Sequence, residues 1–185
     1  MDGLLKYKKI EILPGEICGV ISDTHSTFLP EEVVRNLRNY FHSVKYLLHL
    51  GDVTHPGVIN DLEADGFSVI SVLGNNDRLL STPSVVVLEG GGYKVGMVHG
   101  GGGGYGDVEK RCLRIIRSVF TDNLDGVLFG HIHIPVDKII NGIRFMNPGS
   151  LIFPRHDPDE KYPAIPHAAF FSFGKDGPEF EIFSF

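Results

Sequence analysis

Asp23, His25, Asp52, Asn75, His99, His131 and His133 all follow closely on short apolar runs, and each has a side chain that coordinates metal ions. The runs are Ile17–Ile21, Tyr46–Leu50, Val69–Leu73, Val95–Val98 and Val127–Phe129, short and β-branched enough to read as buried strands. In an open α/β sheet, ligands bind in the crevice outside the carboxyl ends of the strands, so five runs ending this way converge on one place. Carboxylate oxygen, amide oxygen and imidazole nitrogen without thiolate suit Mn, Fe, Co, Ni or Zn. The set exceeds the four ligands of a tetrahedral zinc, which favours two ions with Asp52 as the natural bridge. In an extended segment residues i and i+2 point the same way, so Asp23 with His25, and His131 with His133, are each expected to reach a shared centre.

The intervening segments must place these side chains. Glu31–Phe41, opened by Pro30 and two acids, has apolar residues at helical spacing, and Pro56–Asp65 reads as a shorter helix ended by Gly66. Alternation of these helices with the first three runs is a βαβαβ start with parallel strands and right-handed crossovers. Beyond Asn76 the pattern changes to hairpins: Val85–Leu88 with Tyr93–Val98 across Glu89 to Gly92, and Val136–Ile140 with Ile143–Met146 across Asn141-Gly142. A third helix is expected over Val108–Val119, and a last hairpin joins Ala168–Phe173 to Glu179–Phe185. Two sheets packed face to face with helices outside would bury all of these. Phe180, Phe183 and Phe185 are read as closing a core. Leu4–Ile12 could cover a neighbouring molecule or add an edge strand to its own sheet. The glycine run Gly100–Gly104 could approach a ligand closely, but it is read first as a mobile loop. It lacks the lysine and hydroxyl of a phosphate-binding P-loop.

At 185 residues the chain is expected to form one domain, with residues 1–15 an N-terminal extension and 19–155 carrying the motifs. A 42% hydrophobic and 22% charged composition, with no apolar stretch of membrane length, points to a soluble protein with no membrane partner. No secretion signal is legible, and Cys18 and Cys112 do not make a disulfide framework, so a cytoplasmic location is expected. A net charge of −6 argues against non-specific nucleic-acid binding. An anionic substrate is still compatible, because bound divalent ions are the largest local charges in such a site.

Taken in order, Asp23-Thr24-His25, Gly51-Asp52, Gly74-Asn75-Asn76-Asp77, His99-Gly100, Gly130-His131-Ile132-His133 and Asn147-Pro148-Gly149-Ser150 resemble the calcineurin-like metallophosphoesterases. The branch of small microbial phosphodiesterases is similar in having a proline-arginine pair after the last motif, here Pro154-Arg155. The resemblance spans about Gly19 to Arg155. It implies a four-layer αββα sandwich of two mixed sheets flanked by helices. It further implies that Asp23, His25, Asp52 and His133 hold one ion, and that Asp52, Asn75, His99 and His131 hold the other, with manganese favoured. The implied reaction is hydrolysis of a phosphate ester, a diester before a monoester, by a metal-bridging hydroxide. Nucleotide-like esters are among the substrates that would fit, and self-association is compatible with the branch.

One position departs from the family pattern. Many relatives have a histidine after the asparagine ligand, where this chain has Asn76. An amide donates a hydrogen bond to phosphate but supplies no proton as a general acid near neutral pH. Asn76 is therefore a candidate for contacting the substrate and for slow turnover of unactivated esters. Asp77 is a candidate orienting group or a turn-capping aspartate, and Arg155 a candidate phosphate ligand through its guanidinium fork. His42, His49, His55, His156 and His167 are read as structural or solvated, and Asn147–Ser150 as a supporting turn. A second functional class stays open on the sequence: a metal-binding scaffold of weak catalysis, as in the retromer subunit that resembles this branch. The filled ligand set favours the enzyme.

Overall fold

The computed structural model describes residues 7–185, so Leu4 to Lys6 of the N-terminal segment lie outside the described residues. In chain order the elements are β1 (Tyr7–Glu11), β2 (Cys18–Ile21), α1 (Glu31–Phe41), β3 (Tyr46–His49), α2 (Pro56–Ala64), β4 (Val69–Ser71), β5 (Val85–Gly90), β6 (Tyr93–Val98), α3 (Val108–Arg117), β7 (Gly126–Phe129), β8 (Pro135–Ile140), β9 (Ile143–Pro148), β10 (His167–Gly174) and β11 (Gly177–Ser184). They build two mixed sheets, ordered β1-β5-β6-β7-β9-β8 and β11-β10-β2-β3-β4.

Alternation along the strands sorts side chains into layers. Val20, Leu48, Val86, Leu88, Met97, Leu128 and Met146 meet between the sheets. Their neighbours Val85, Val87, Val127, Phe129 and Phe145 turn outward onto Cys112 and Ile116 of α3. Ile21 and Leu47 turn the other way onto Leu37 and Phe41 of α1 and Val58 and Leu62 of α2. The result is the expected helix, sheet, sheet, helix stack. Phe180 enters the central layer, while Phe183 and Phe185 pack on the α1 side.

The ligand-bearing runs divide between the sheets. β2, β3 and β4 are mutually parallel in one, and β6 and β7 are parallel in the other, so a single end of the sandwich receives carboxyl ends from both. The site thus spans two sheets rather than one crevice. The β5–β6 and β8–β9 turns have the positive φ angles of type I′ turns, Gly91 at 60° with Gly92 at 88°, and Asn141 at 51° with Gly142 at 80°. β1 pairs in parallel with β5 from Tyr7↔Val85 to Glu11↔Glu89, so this part of the N-terminal segment extends its own sheet. Among the described residues no helix is long and apolar enough to cross a membrane. Cys18 and Cys112 are free and buried in different layers, and burial pushes both thiols up to about 12.

Candidate metal centre

The loops after the five strand ends bring the predicted ligands together in two groups, Asp23 with His25 and His133, and Asp52 with His99 and His131. Oδ2 of Asp52 lies 3.5 Å from His25 Nε2 and 3.3 Å from His99 Nε2, between the groups. Nε2 of His25 and Nε2 of His133 face each other at 3.2 Å, and His133 Nε2 lies 3.4 Å from Asp23 Oδ1. Asn75 joins the second group, its Oδ1 3.1 Å from His99 Nε2. His131 and His133 therefore separate, one to each group.

Local backbone explains how this happens. Asp23, His25, Asp52, His131 and His133 all have left-handed φ angles, between 43° and 72°, as does Thr54 at 77°. The paired ligands are thus not on extended segments as the i, i+2 argument assumed; turns in a sparsely populated conformation aim them. Such residues cost of order 1–3 kcal/mol each and persist only where the surroundings over-determine them. Here the surroundings are visible. Asp77, buried, accepts from the amides of Asp52 (2.9 Å), Gly74 (2.7 Å) and Thr54 (2.6 Å), which makes it a clip for the Asp52 loop. The Asn147–Ser150 turn does the same for two other loops: Asn147 Nδ2 donates to the Gly130 carbonyl and Ser150 Oγ to the Asp23 carbonyl. Gly74 passes so close to Asp52 that a Cβ there would overlap its amide and carboxylate.

In His99, His131 and His133 the ring nitrogen that faces away from the centre is tied to backbone. His99 Nδ1 donates to the Leu50 carbonyl at 2.8 Å, His133 Nδ1 to the Phe153 carbonyl at 2.7 Å, and His131 Nε2 to the Gly103 carbonyl at 3.0 Å. A carbonyl only accepts, so each bond fixes the tautomer and leaves the other nitrogen's lone pair for a ligand, the arrangement metal-binding imidazoles use. Residues present therefore fit two divalent cations. Sequence reading missed these carbonyls, since no residue type marks them. It also missed Arg111, which donates to the Gly100 carbonyl (2.6 Å) and the Gly104 carbonyl (2.7 Å) and holds the glycine run in place. The run lies beside the site, where the Gly103 carbonyl meets His131.

Electrostatics agree. Burial works to raise the Asp52 carboxyl, but His99 and the donors of Asn76 outweigh it and hold the group well below the usual carboxylate range. Burial opposes ionisation of Asp23 too, and His133, His99 and Ser22 overcome it. His99 and His133 are raised despite burial, by Asp52 and Asp23 respectively. Burial lowers His131. Two ionised carboxylates at the floor of a cleft are a cation trap. At its open side stand exposed Asn75, Asn76 and Arg155. Asn76 donates through its amide N–H (2.9 Å) and Nδ2 (2.8 Å) to the two oxygens of Asp52. The Arg155 guanidinium lies 4.0 Å over the ring of Tyr105, which in turn sits 5.3 Å from His131.

Known proteins resemble this chain in sequence and in fold. A probable metallophosphoesterase of Methanothermobacter thermautotrophicus is 33% identical over 141 residues, 75% of this chain and 79% of that protein. Vps29 of Entamoeba histolytica, solved in complex with Zn2+, superposes with a TM-score of 0.66 at 20% identity, over 91% of this chain and 98% of that one. The structure of an archaeal phosphodiesterase superposes with a TM-score of 0.63 at 20% identity, over 90% of this chain and 99% of that one. At that identity the two structures speak for the fold alone. The sequence model described as the calcineurin-like phosphoesterase superfamily domain matches residues 17–166, and this chain belongs to that superfamily of metal-dependent hydrolases of phosphate esters.

Proposed function

We propose that the protein is a phosphodiesterase working with two divalent ions, manganese first among them. The observation that carries this reading is the position of Asp52 Oδ2, within 3.5 Å of His25 Nε2 and 3.3 Å of His99 Nε2, where one carboxylate can serve both ligand groups. Asp23, His25, Asp52 and His133 would hold one ion, and Asp52, Asn75, His99 and His131 the other. Oxygen and imidazole donors without thiolate support a first-row divalent ion. Bound there, the ions supply Lewis-acid charge and lower the pKa of a bound water.

The chain's own groups do the rest. Asp23, Asp52 and His99 are buried at the floor of the site. The carbonyls of Leu50, Gly103 and Phe153 fix the imidazole tautomers. The second Nδ2 hydrogen of Asn76, whose first goes to Asp52, and the exposed Arg155 guanidinium would donate to non-bridging phosphate oxygens. Neither offers a proton to a departing alkoxide near neutral pH, which favours esters whose leaving group needs none.

The test is hydrolysis of bis-p-nitrophenyl phosphate and p-nitrophenyl phosphate by Mn2+-loaded protein, with EDTA treatment and Asp52→Asn as controls. Metal-dependent diester cleavage that exceeds monoester cleavage and disappears in both controls is the expected result. Stoichiometric metal with no cleavage of either ester would reject the enzyme in favour of a metal-binding scaffold.

A further inference from the structure

Two aromatic side chains beside the metal centre stand outside the apolar layers. Tyr105 is 52% exposed and Phe153 49% exposed, and neither belongs to any of the three apolar layers. Each nevertheless rests on a ligand histidine: Tyr105 on His131 at 5.3 Å between ring centroids, and Phe153 on His25 at 5.9 Å, edge to face. Those histidines belong to different ligand groups, so one ring accompanies each. The Tyr105 ring is further fixed by the Arg155 guanidinium stacked 4.0 Å above it. A guanidinium is planar and stacks on aromatic surfaces, so Tyr105 and Arg155 together make one flat wall with a cationic face. Phe153, two residues before Arg155, makes a second flat surface at the other ligand group. Exposed aromatic area outside the apolar layers, placed at a centre for phosphate chemistry, has the chemistry of a stacking platform for a planar ring.

We propose that Phe153 and the Tyr105–Arg155 pair form an aromatic subsite that holds a planar ring on the organic arm of the phosphate ester. The inference rests on the phosphoesterase reading and names its substrate class: a diester with at least one aromatic or heteroaromatic arm. Tyr105 and Phe153 are specificity residues here, selecting the arm while the ions and the donors at the open side take the phosphate.

Phosphonates separate the subsite from the reaction, because their P–C bond leaves no ester to cleave. Calorimetric titration of Mn2+-loaded protein should find phenylphosphonate binding roughly ten-fold tighter than methylphosphonate, the size typical of stacking on one aromatic side chain. Within Phe153→Ala, and separately within Tyr105→Leu, that ratio should fall toward one while metal content is retained. Equal affinities in the unaltered protein, or an unchanged ratio in both variants, would overturn the subsite. In parallel, p-nitrophenyl phosphodiesters with a methyl, phenyl or thymidine 5′ arm share one leaving group, so their relative kcat/KM reports the other arm. Preference for either ring-bearing arm over methyl supports the proposal, the thymidine arm leading for a nucleobase and the phenyl arm for an aryl group. A phenylphosphonate preference without cleavage of any diester would reject the esterase and keep the subsite. Cleavage with no preference in either assay would keep the esterase and reject the subsite.

Discussion

Asn76 Nδ2 donates to Asp52 Oδ2 at 2.8 Å, the same oxygen that lies within 3.5 Å of His25 Nε2 and 3.3 Å of His99 Nε2. The residue in place of the family's usual histidine is therefore coupled to the carboxylate that lies between the two ligand groups. Its amide N–H holds the other carboxylate oxygen. Hydrogen bonds to charged groups contribute about 1.5–3 kcal/mol, and groups that orient metal ligands typically change affinity by about 10–100-fold. Asn76→Ala is expected to weaken metal binding by roughly ten-fold, read from titration against a competing chelator. Asn76→His should preserve metal content and raise kcat on alkyl esters, up to the ~10²–10⁴ that general acid help provides, with less gain on p-nitrophenyl esters. Equal gains on both classes of ester would refute the missing-proton account.

Asp77 gives a separate prediction, since its carboxylate accepts from three backbone amides and reaches no ring of the centre among its hydrogen bonds. It holds Asp52 and Thr54 in their left-handed conformations. Asp77→Ala leaves these amides without their acceptor and should destabilise the fold by about 3 kcal/mol or more. Asp77→Asn, which still accepts through one oxygen, should fall between. The measurement is thermal unfolding of the metal-free proteins, followed by metal content. A full-stability Asp77→Ala protein that has lost only turnover would make Asp77 a catalytic group instead of a positioning one.

His49 predicts an acid-sensitive step in stability. Its Nε2 meets Thr24 Oγ1 at 3.1 Å, its Nδ1 is buried without a partner among the described residues, and burial pushes the group down to about 4. The unfolded chain would bind that proton near 6.5. The unfolded state therefore carries more protons between the two values, and stability rises with pH across that window. The contribution is complete above 6.5 and is lost as pH falls toward 4, amounting to about 3 kcal/mol. His99 and His133, raised by their carboxylates, act with the opposite sign in metal-free protein, so the comparison needs a variant. Denaturant unfolding at pH 7 and pH 4.5, with EDTA present, should show a smaller acid loss in His49→Gln than in the unaltered chain. Parallel losses would sink this prediction.

The parts of the molecule legible in the sequence are those encoded locally. Helix α1 begins and ends at Glu31 and Phe41 as expected, because Pro30, two acids and apolar spacing mark it. The Asn141-Gly142 turn is where its dipeptide puts it. Family motifs point to the ligands that the loops bring together. Three things are carried by contacts between loops far apart in the chain, where no periodicity helps: the division of the ligand strands between two sheets, the left-handed turns that aim the ligands, and the carbonyls that fix the imidazoles. The glycine run is the clearest case. Gly103 orients His131, Arg111 anchors the loop, and Tyr105 leaves it to meet Arg155, yet the run itself reads as featureless.

The same run distinguishes the two ligand groups by mutation. Gly101 lies so close to Asn75 that a Cβ would overlap Oδ1, the atom that faces His99 Nε2. The obstruction is at the far end of a short side chain, so Gly101→Ala should be relieved by Asn75 rotating away, with little loss of folding. Asp23, His25 and His133 have no part in that contact. A stepwise titration should then show one ion bound nearly as in the unaltered protein and the second weakened by about ten-fold or more, the scale seen when a ligand's support is removed. Uniform weakening of both would mean that Asp52 transmits the disturbance through the bridge, and that the two groups behave as one unit. Unchanged binding of both would remove Asn75 from the ligand set.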